Sequence, residues 1–238
     1  LEQHIPSDGH PFNVSPQQAR GILAQDLTCE GEHALMRAVE LNTFLEFCNN
    51  SELKREILEC GAGVGDSSVE PLFVRFNEHG YRVHGIELSE ERAAAATAYC
   101  RTNQVEADLR VGDMRQLPYE NESMSFIFSY NVTFHMTKVD IAVAMGEIER
   151  VLKQQGLCFV NFLSIDSDSY KKEKDIEGGE CPDHEAGDEH VHAYFEEDEA
   201  DGYFVDFKVL HKEKRVRERL SNGQRLVSVF IDYIARKK

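Results

Sequence analysis

What this chain lacks narrows its nature. Its six cysteines, at positions 29, 48, 60, 100, 158 and 181, are scattered and include no Cys-x-x-Cys pair. Reduced thiols are therefore expected rather than a disulfide framework. Cys48, Cys60 and Cys158 sit among apolar neighbours and read as small core residues. No apolar run approaches the roughly 18 residues of a membrane span. The polar stretch Leu1 to Gly21 has no basic-then-apolar signal pattern, so a cytoplasmic location is expected. There is no internal repeat. Basic residues are scarce: 26 Lys and Arg stand against 43 Asp and Glu, for a formal net charge of −17. With no basic stripe to follow a phosphate backbone, nucleic acid is a poor partner.

The acidity is local. Residues 175–201 hold twelve acids and no Lys or Arg, and the chain without them carries only −5. The 238 residues suffice for one large α/β domain or two small ones. Apolar residues at 41% and charged residues at 29% are ordinary for a globular protein.

The densest signal is Ile57-Leu58-Glu59-Cys60-Gly61-Ala62-Gly63-Val64-Gly65-Asp66, an apolar run ending in an acid and followed by glycine at every second position. Such a turn presses its backbone against a ligand where a Cβ would collide. About twenty residues on, a second apolar run ends in Glu87, suited to gripping a ribose. The glycines at 61, 63 and 65 do not follow the dinucleotide spacing, and Asp66 at the loop mouth would repel a pyrophosphate. Glu59 and Asp66 together suit a cofactor carrying positive charge, which disfavours a nicotinamide oxidoreductase.

Strand and helix signals alternate around this loop. Residues 1–27 read as a loosely packed arm, and 31–49 as a helix with an apolar face from Ala34 to Cys48. Strands are expected at Arg55–Cys60, Tyr81–Glu87, Ala107–Val111, Ser125–Asn131 and Leu157–Leu163. Helices are expected from Ser68 to about His79, from Ser89 through the alanines 93–96, and from Thr137 along the stripe Ile141 to Leu152. This repetition predicts a parallel, doubly wound sheet. Residues 164–193 break the pattern and read as an acidic insert or lid. Two last strands, about Tyr203–His211 and Leu226–Ile234, make an antiparallel hairpin. Within the insert, Cys181-x-x-His184 with His190 and His192 fits no closed zinc pattern, and no metal is expected. His190 to Phe195 is expected to fold over a pocket. The acids of 196–201 are expected on a solvated helix face, with Phe195, Tyr203 and Phe204 buried behind them.

Four motifs in order, Glu59 to Gly65, Glu87-Leu88, Gly112-Asp113-Met114 and Glu147 to Lys153, resemble the class I S-adenosylmethionine-dependent methyltransferases over residues 55–163. Members with small-molecule acceptors are the most similar. The resemblance implies a Rossmann-like doubly wound sheet of seven strands in the order 3-2-1-4-5-7-6 with strand 7 antiparallel. Residues 1–50 would form an arm and helical cap, and 51–238 the methyltransferase domain with its insert at about 164–193. It implies that Glu59, Gly61, Ala62, Gly63, Glu87, Leu88, Asp113, Met114 and Ser129 contact the cofactor. Glu87 would hold the ribose hydroxyls, Asp113 the adenine amino group, and Leu88 and Met114 the ring. Two departures, Gln154-Gln155-Gly156 where Pro-Gly-Gly is common and Met124-Ser125 where an Asp is usual, do not touch the expected cofactor site.

The implied reaction is methyl transfer to a small-molecule acceptor with release of S-adenosylhomocysteine. It demands alignment and exclusion of water more than acid–base chemistry. His135, just past the fourth strand, is the best placed general base, and Tyr130 and Asn131 are placed to line the acceptor side. A peptide or protein side-chain methyltransferase and a non-catalytic S-adenosylmethionine-binding module remain as alternatives. The sequence names neither the acceptor atom nor the oligomeric state.

Overall fold

The strands form where apolar residues run consecutively, and burial on both faces explains those runs. The computed structural model describes residues 40–172, 178–182, 191–221 and 224–238. The chain divides into two units, Leu1–Thr43 and Phe44–Lys238, and of the first only 40–43 are described. The expected arm at 1–27 and the start of the expected helix at 31 lie outside the described residues; helix α1 is seen over 40–49.

From Phe44 onward the elements are β1 (Glu56–Cys60), α2 (Val74–Glu78), β2 (Arg82–Glu87), α3 (Glu90–Asn103), β3 (Ala107–Val111), β4 (Met124–Ser129), α4 (Lys138–Val151), β5 (Leu152–Ser164), α5 (Asp168–Lys172), β6 (Glu180–Pro182), β7 (Val191–Phe195), β8 (Phe207–Ser221) and β9 (Gln224–Lys237). The strands lie in the order β3-β2-β1-β4-β5-β9-β8. The pairs among β1 to β5 are parallel, and β9 runs antiparallel to both β5 and β8. With β8 and β9 counted as the sixth and seventh strands, this is the expected order 3-2-1-4-5-7-6.

Side chains alternate between two packed faces. Phe126 and Phe128 point to one side of β4, where Phe128 meets Phe44 and Phe76 with ring centroids 6.5 and 5.0 Å away. Ile127 points to the other, into a cluster with Leu58, Cys158, Ile141, Met145 and Ile148. Helix α4 buries its stripe there because Thr137 starts it cleanly: the Thr137 hydroxyl oxygen accepts from Asp140 N at 3.1 Å. Ser89 does the same for α3 by accepting from Arg92 N. All five described cysteines are buried.

Several boundaries move. The helix expected from Ser68 shrinks to Val74–Glu78, because the Asp66 carboxylate accepts from Ser68 N at 2.7 Å and turns the chain locally. Strand β5 already pairs at Leu152, before Gly156, with the register shifting between Met124 and Phe126 so that 153–156 bulge out. Strands β8 and β9 are far longer than expected. β8 is a sheet edge, and edge strands tolerate rows of Lys and Arg. The acid run is no helix face. Its end enters a 3-10 turn, Glu199–Phe204, and Lys212 of β8 reaches Asp198 at 2.7 Å and Asp201 at 2.8 Å. Phe195 and Phe204 are buried behind it, with Tyr203 half-buried.

The insert partly folds. Strand β7 runs parallel to the last residues of β5, with Leu163 opposite Tyr194 and Ser164 opposite Phe195. Since β9 holds one edge of β5 through Leu163, β7 takes the other edge, beyond the point where β4 stops at Ser129 opposite Val160. Strand β6 pairs back on β7. The hairpin therefore stands at the carboxyl end of the sheet. No helix among the described residues is long and apolar enough to cross a membrane.

Candidate functional site

The glycine loop is pinned to the neighbouring strand by its own backbone. The amides of Gly61 and Ala62 both donate to Ile86 O, at 2.8 and 3.0 Å. Gly61 adopts φ +87°, and a Cβ there would lie 2.3 Å from Val132 Cγ2. A Cβ on Gly63 would lie 2.5 Å from the Glu87 carboxylate. At Gly65 nothing lies within 4 Å of the added carbon. The three glycines are thus unequal: two form the cradle and the third is free. Ala62 is buried beneath it, against the backbone of Gly85.

Two carboxylates meet at this cradle. Glu87 closes β2, and each of its oxygens accepts one backbone amide, from Gly63 and from Ser89, both at 3.0 Å. Each oxygen keeps a lone pair for a ligand hydroxyl. Glu59 closes the buried run of β1 and is only 3% exposed. One of its oxygens has no hydrogen-bond partner. Burial drives its pKa well above the ordinary glutamate value; the Phe73 amide works against this, and the charge of Glu87 adds to it. Among the described residues no cation compensates the pair, so the cradle is electrostatically suited to a ligand bearing positive charge and N–H donors. The orphaned Glu59 oxygen and the Gly63 cradle fit the ammonium end and ribose of S-adenosylmethionine.

Leu88, next to Glu87, is 65% exposed, an apolar surface left uncovered beside the site. Asp113 follows β3, and Gly112 N donates to Glu87 O at 2.9 Å, which ties that turn to the end of β2. The Asp113 carboxylate accepts from Arg115 Nη2 at 2.6 Å and from Arg115 N at 2.8 Å. The Arg115 side chain holds its pKa below the usual aspartate value. Arg115 also reaches Asp140 at 3.2 Å. Met114 is buried in the core cluster beneath the turn.

Strand β4 delivers the other half of the site. Ser129 is fully buried with an unpartnered hydroxyl. Tyr130 stacks on Phe159 at 6.0 Å, and Asn131 turns the chain at φ +57°. Val132 then sits over Gly61, and the 3-10 turn Thr133–His135 ends with His135 exposed. The turn after β4 therefore borders the glycine cradle directly.

Residues 58–160 match the family model of a methyltransferase domain. Residues 58–160 therefore form a methyltransferase domain of the kind that uses S-adenosylmethionine. Its fold is similar to that of a methyltransferase from Methanosarcina mazei that depends on the same cofactor, at 21% identity over 81% of this chain and 96% of that one, with a TM-score of 0.65. A second such enzyme, from Clostridium acetobutylicum, matches at 14% identity over 88% and 99% of the two chains, with a TM-score of 0.59. A third structure, described for conversion of a disulfide bond into a thioacetal group during echinomycin biosynthesis, matches at 12% identity over 83% and 82%, with a TM-score of 0.62. Comparison with the sequences of curated proteins finds no match.

The methyltransferase holds its β4 turn from behind with groups the sequence did not reveal. Asn161 Oδ1 accepts from Asn131 N, and its amide donates to Asn131 Oδ1, both at 2.7 Å. Asn161 also hydrogen bonds Asp232, which Arg215 pairs at 2.7 Å in a nearly dry setting. Burial raises the Asp232 pKa and Arg215 opposes it. No spacing rule links positions 131, 161, 215 and 232; only the β5–β9–β8 pairing does. Replacing Asn161 by Ala orphans the Asn131 amide and removes one hydrogen bond to Asp232, whose two oxygens Arg215 still holds. The expected cost is about 2–3 kcal/mol, seen as a drop of about 2–4 °C in Tm per kcal/mol. An unchanged melting curve contradicts this role.

His192 of β7, in the segment expected to fold over a pocket, meets a partner that the sequence did not indicate. Its Nε2 lies 3.0 Å from His135 Nδ1. Among the described residues no three His, Cys, Asp or Glu side chains converge as metal ligands; His184 and His190 lie outside the described residues.

Proposed function

We propose that this methyltransferase transfers a methyl group from S-adenosylmethionine to a small-molecule acceptor, releasing S-adenosylhomocysteine. The observation that carries this reading is the placement of the β6–β7 hairpin. β7 occupies the β5 edge just past β4 and touches the turn that ends at His135. The chain itself thereby covers the acceptor side, which suits a small acceptor better than a protein surface. Three acids that would attract a basic protein partner, Glu197, Asp198 and Asp201, are already engaged by lysines of β8. The fold likeness to a structure concerned with echinomycin biosynthesis agrees with a small acceptor.

In this reading Glu59 takes the ammonium group of the cofactor, and Gly61, Ala62 and Gly63 line its methionine portion. Glu87 takes the ribose hydroxyls. Leu88 covers the adenine, Asp113 accepts from its amino group, and Met114 supports that turn from the core. Ser129 offers its hydroxyl at the mouth of β4. The bound cofactor supplies an activated methyl on a sulfonium. The protein aligns the acceptor, excludes water and, through His135, accepts a proton, with Tyr130 lining the acceptor side.

The test is to supply S-adenosylmethionine with a labelled methyl group to the protein in a clarified lysate and to dialyse the mixture. Label in a new dialysable compound supports the proposal. Label retained on macromolecules alone favours the peptide or protein acceptor.

A further inference from the structure

The His135–His192 pair joins the two parts of the chain that bound the acceptor side. His135 ends the turn after β4, three residues past the Val132 that covers Gly61. His192 comes from β7. The rings are 4.8 Å apart at their centroids, and Nδ1 of the first meets Nε2 of the second at 3.0 Å. Phe134 packs against both imidazoles, and Phe230 of β9 against Phe134. Tyr194 sits beside His192, with Tyr170 of α5 behind it, and Cys181 of β6 lies opposite His192 in the strand pairing. These two tyrosines and Cys181 are titratable groups near the pair, with Arg215 over the Phe230 ring beyond them.

Two imidazole nitrogens at this distance share one hydrogen, so one ring donates and the other accepts. The alternative, two ligands of one metal ion, needs at least a third protein ligand, and none joins them among the described residues. If His135 Nδ1 donates, its Nε2 carries the lone pair and the ring is a base. This is the second-partner arrangement by which a hydrogen bond at one ring nitrogen sets the chemistry of the other.

We propose that His192 is a positioning residue that holds His135 as the Nδ1–H tautomer, and that the acceptor is a hydroxyl or thiol, a group that must lose its proton on methylation. The inference rests on the small-molecule methyltransferase reading above. The acceptor X–H gives its proton to His135 Nε2, and its electron pair forms the new X–CH3 bond as the C–S electron pair returns to sulfur. The imidazolium passes its extra proton to solvent. The base is then complete only when the β6–β7 hairpin is in place, which couples covering of the acceptor to proton removal.

Two measurements test this. The first uses the cofactor-free protein and needs no turnover: imidazole nitrogen NMR of wild type, His192→Ala and His192→Gln. The expected result is a hydrogen-bonded Nδ1–H on His135 in wild type, lost in H192A and retained in H192Q, whose side-chain oxygen can still accept. An Nε2–H tautomer in wild type, or a His135 signal indifferent to both changes, overturns the proposal. The second follows S-adenosylhomocysteine release with three probes: a simple phenol, an aliphatic thiol and a tertiary amine. Phenol or thiol turnover is expected to fall about 10²-fold in His135→Ala and about tenfold in H192A, recover partly in H192Q, and fall no further in the double variant. KM for the cofactor is expected to stay within about twofold throughout, since general-base loss acts on kcat. Methylation of the tertiary amine that is indifferent to both histidines, additive losses in the double variant, or activity abolished by a chelator and restored by a divalent metal each contradicts it. Failure of S-adenosylmethionine to bind at all would sink the methyltransferase reading, whereas the NMR result bears on the pair alone.

Discussion

Replacing Glu59 by Gln is expected to weaken S-adenosylmethionine binding about 10²-fold while making the cofactor-free protein more stable. Both effects come from one atom. The buried Glu59 oxygen without a partner costs free energy in the cofactor-free protein and is, in the proposed reading, the acceptor for the ligand ammonium. Losing a charge-assisted hydrogen bond is worth about 1.5–3 kcal/mol, up to about 10²-fold in affinity. Removing an uncompensated buried charge is expected to stabilise the empty protein by about 1–3 kcal/mol, or about 2–4 °C in Tm per kcal/mol.

The pH dependence has a definite sign. Burial raises the folded-state pKa of Glu59 above its unfolded value, so the empty protein binds this proton more tightly than the unfolded chain does. Its contribution to stability is fully present below the unfolded pKa and is lost as pH rises through the folded one. Across that same window cofactor affinity rises, because the binding form is the carboxylate. In Glu59→Gln both slopes vanish. Calorimetry and melting curves from the ordinary glutamate range upward check both trends. A variant that melts lower than wild type and binds the cofactor normally contradicts the assignment.

Gly63→Ala is the second large effect. Gly63 has a backbone any residue can adopt, so the substitution costs little in strain. The cost is contact: the new methyl lands 2.5 Å from Glu87 Oε2 and 2.7 Å from Arg92 Cβ. The Glu87 side chain must swing away, which also removes the bond it accepts from Gly63 N. Cofactor affinity is expected to fall by 10²-fold or more, about 3 kcal/mol, with a fold that still melts cooperatively. Gly61→Ala is a poorer probe, because φ +87° and the collision with Val132 threaten the fold itself. Gly65→Ala is the control, since its Cβ meets nothing within 4 Å. Calorimetric titration of the three variants decides the point. Equal losses for Gly63→Ala and Gly65→Ala would mean that the cradle is misidentified.

The sequence spoke clearly where local chemistry and global fold agree. Glycines 61 and 63 are needed because backbone and side chains crowd them, and Glu87 closes a buried strand with no other reason to be acidic. Those features survive in any frame of the fold. Elsewhere the pattern misled. Ser68 looked like a helix start, but the Asp66 side chain captures the Ser68 amide and delays the helix to Val74. The long, charged β8 looked like a connector, because an edge strand buries little and keeps no clean alternation. Strand β7 was hidden by its acidic neighbours: Val191 to Phe195 is too short to outweigh them, and its pairing with β5 is a tertiary event. Arg115 and Asn161 were invisible for the same reason, and His192, though singled out in the insert, gave no sign of its partner His135. Each matters through a partner that topology, not spacing, brings close.

The central claim is that the cradle between Glu59, Gly63 and Glu87 holds S-adenosylmethionine. The most direct measurement is calorimetric titration of wild type and Glu87→Ala with S-adenosylmethionine, S-adenosylhomocysteine and NAD. Micromolar binding of both adenosyl ligands, at least tenfold weaker in Glu87→Ala and absent for NAD, is the predicted result. No adenosyl binding, or binding indifferent to Glu87, would contradict it.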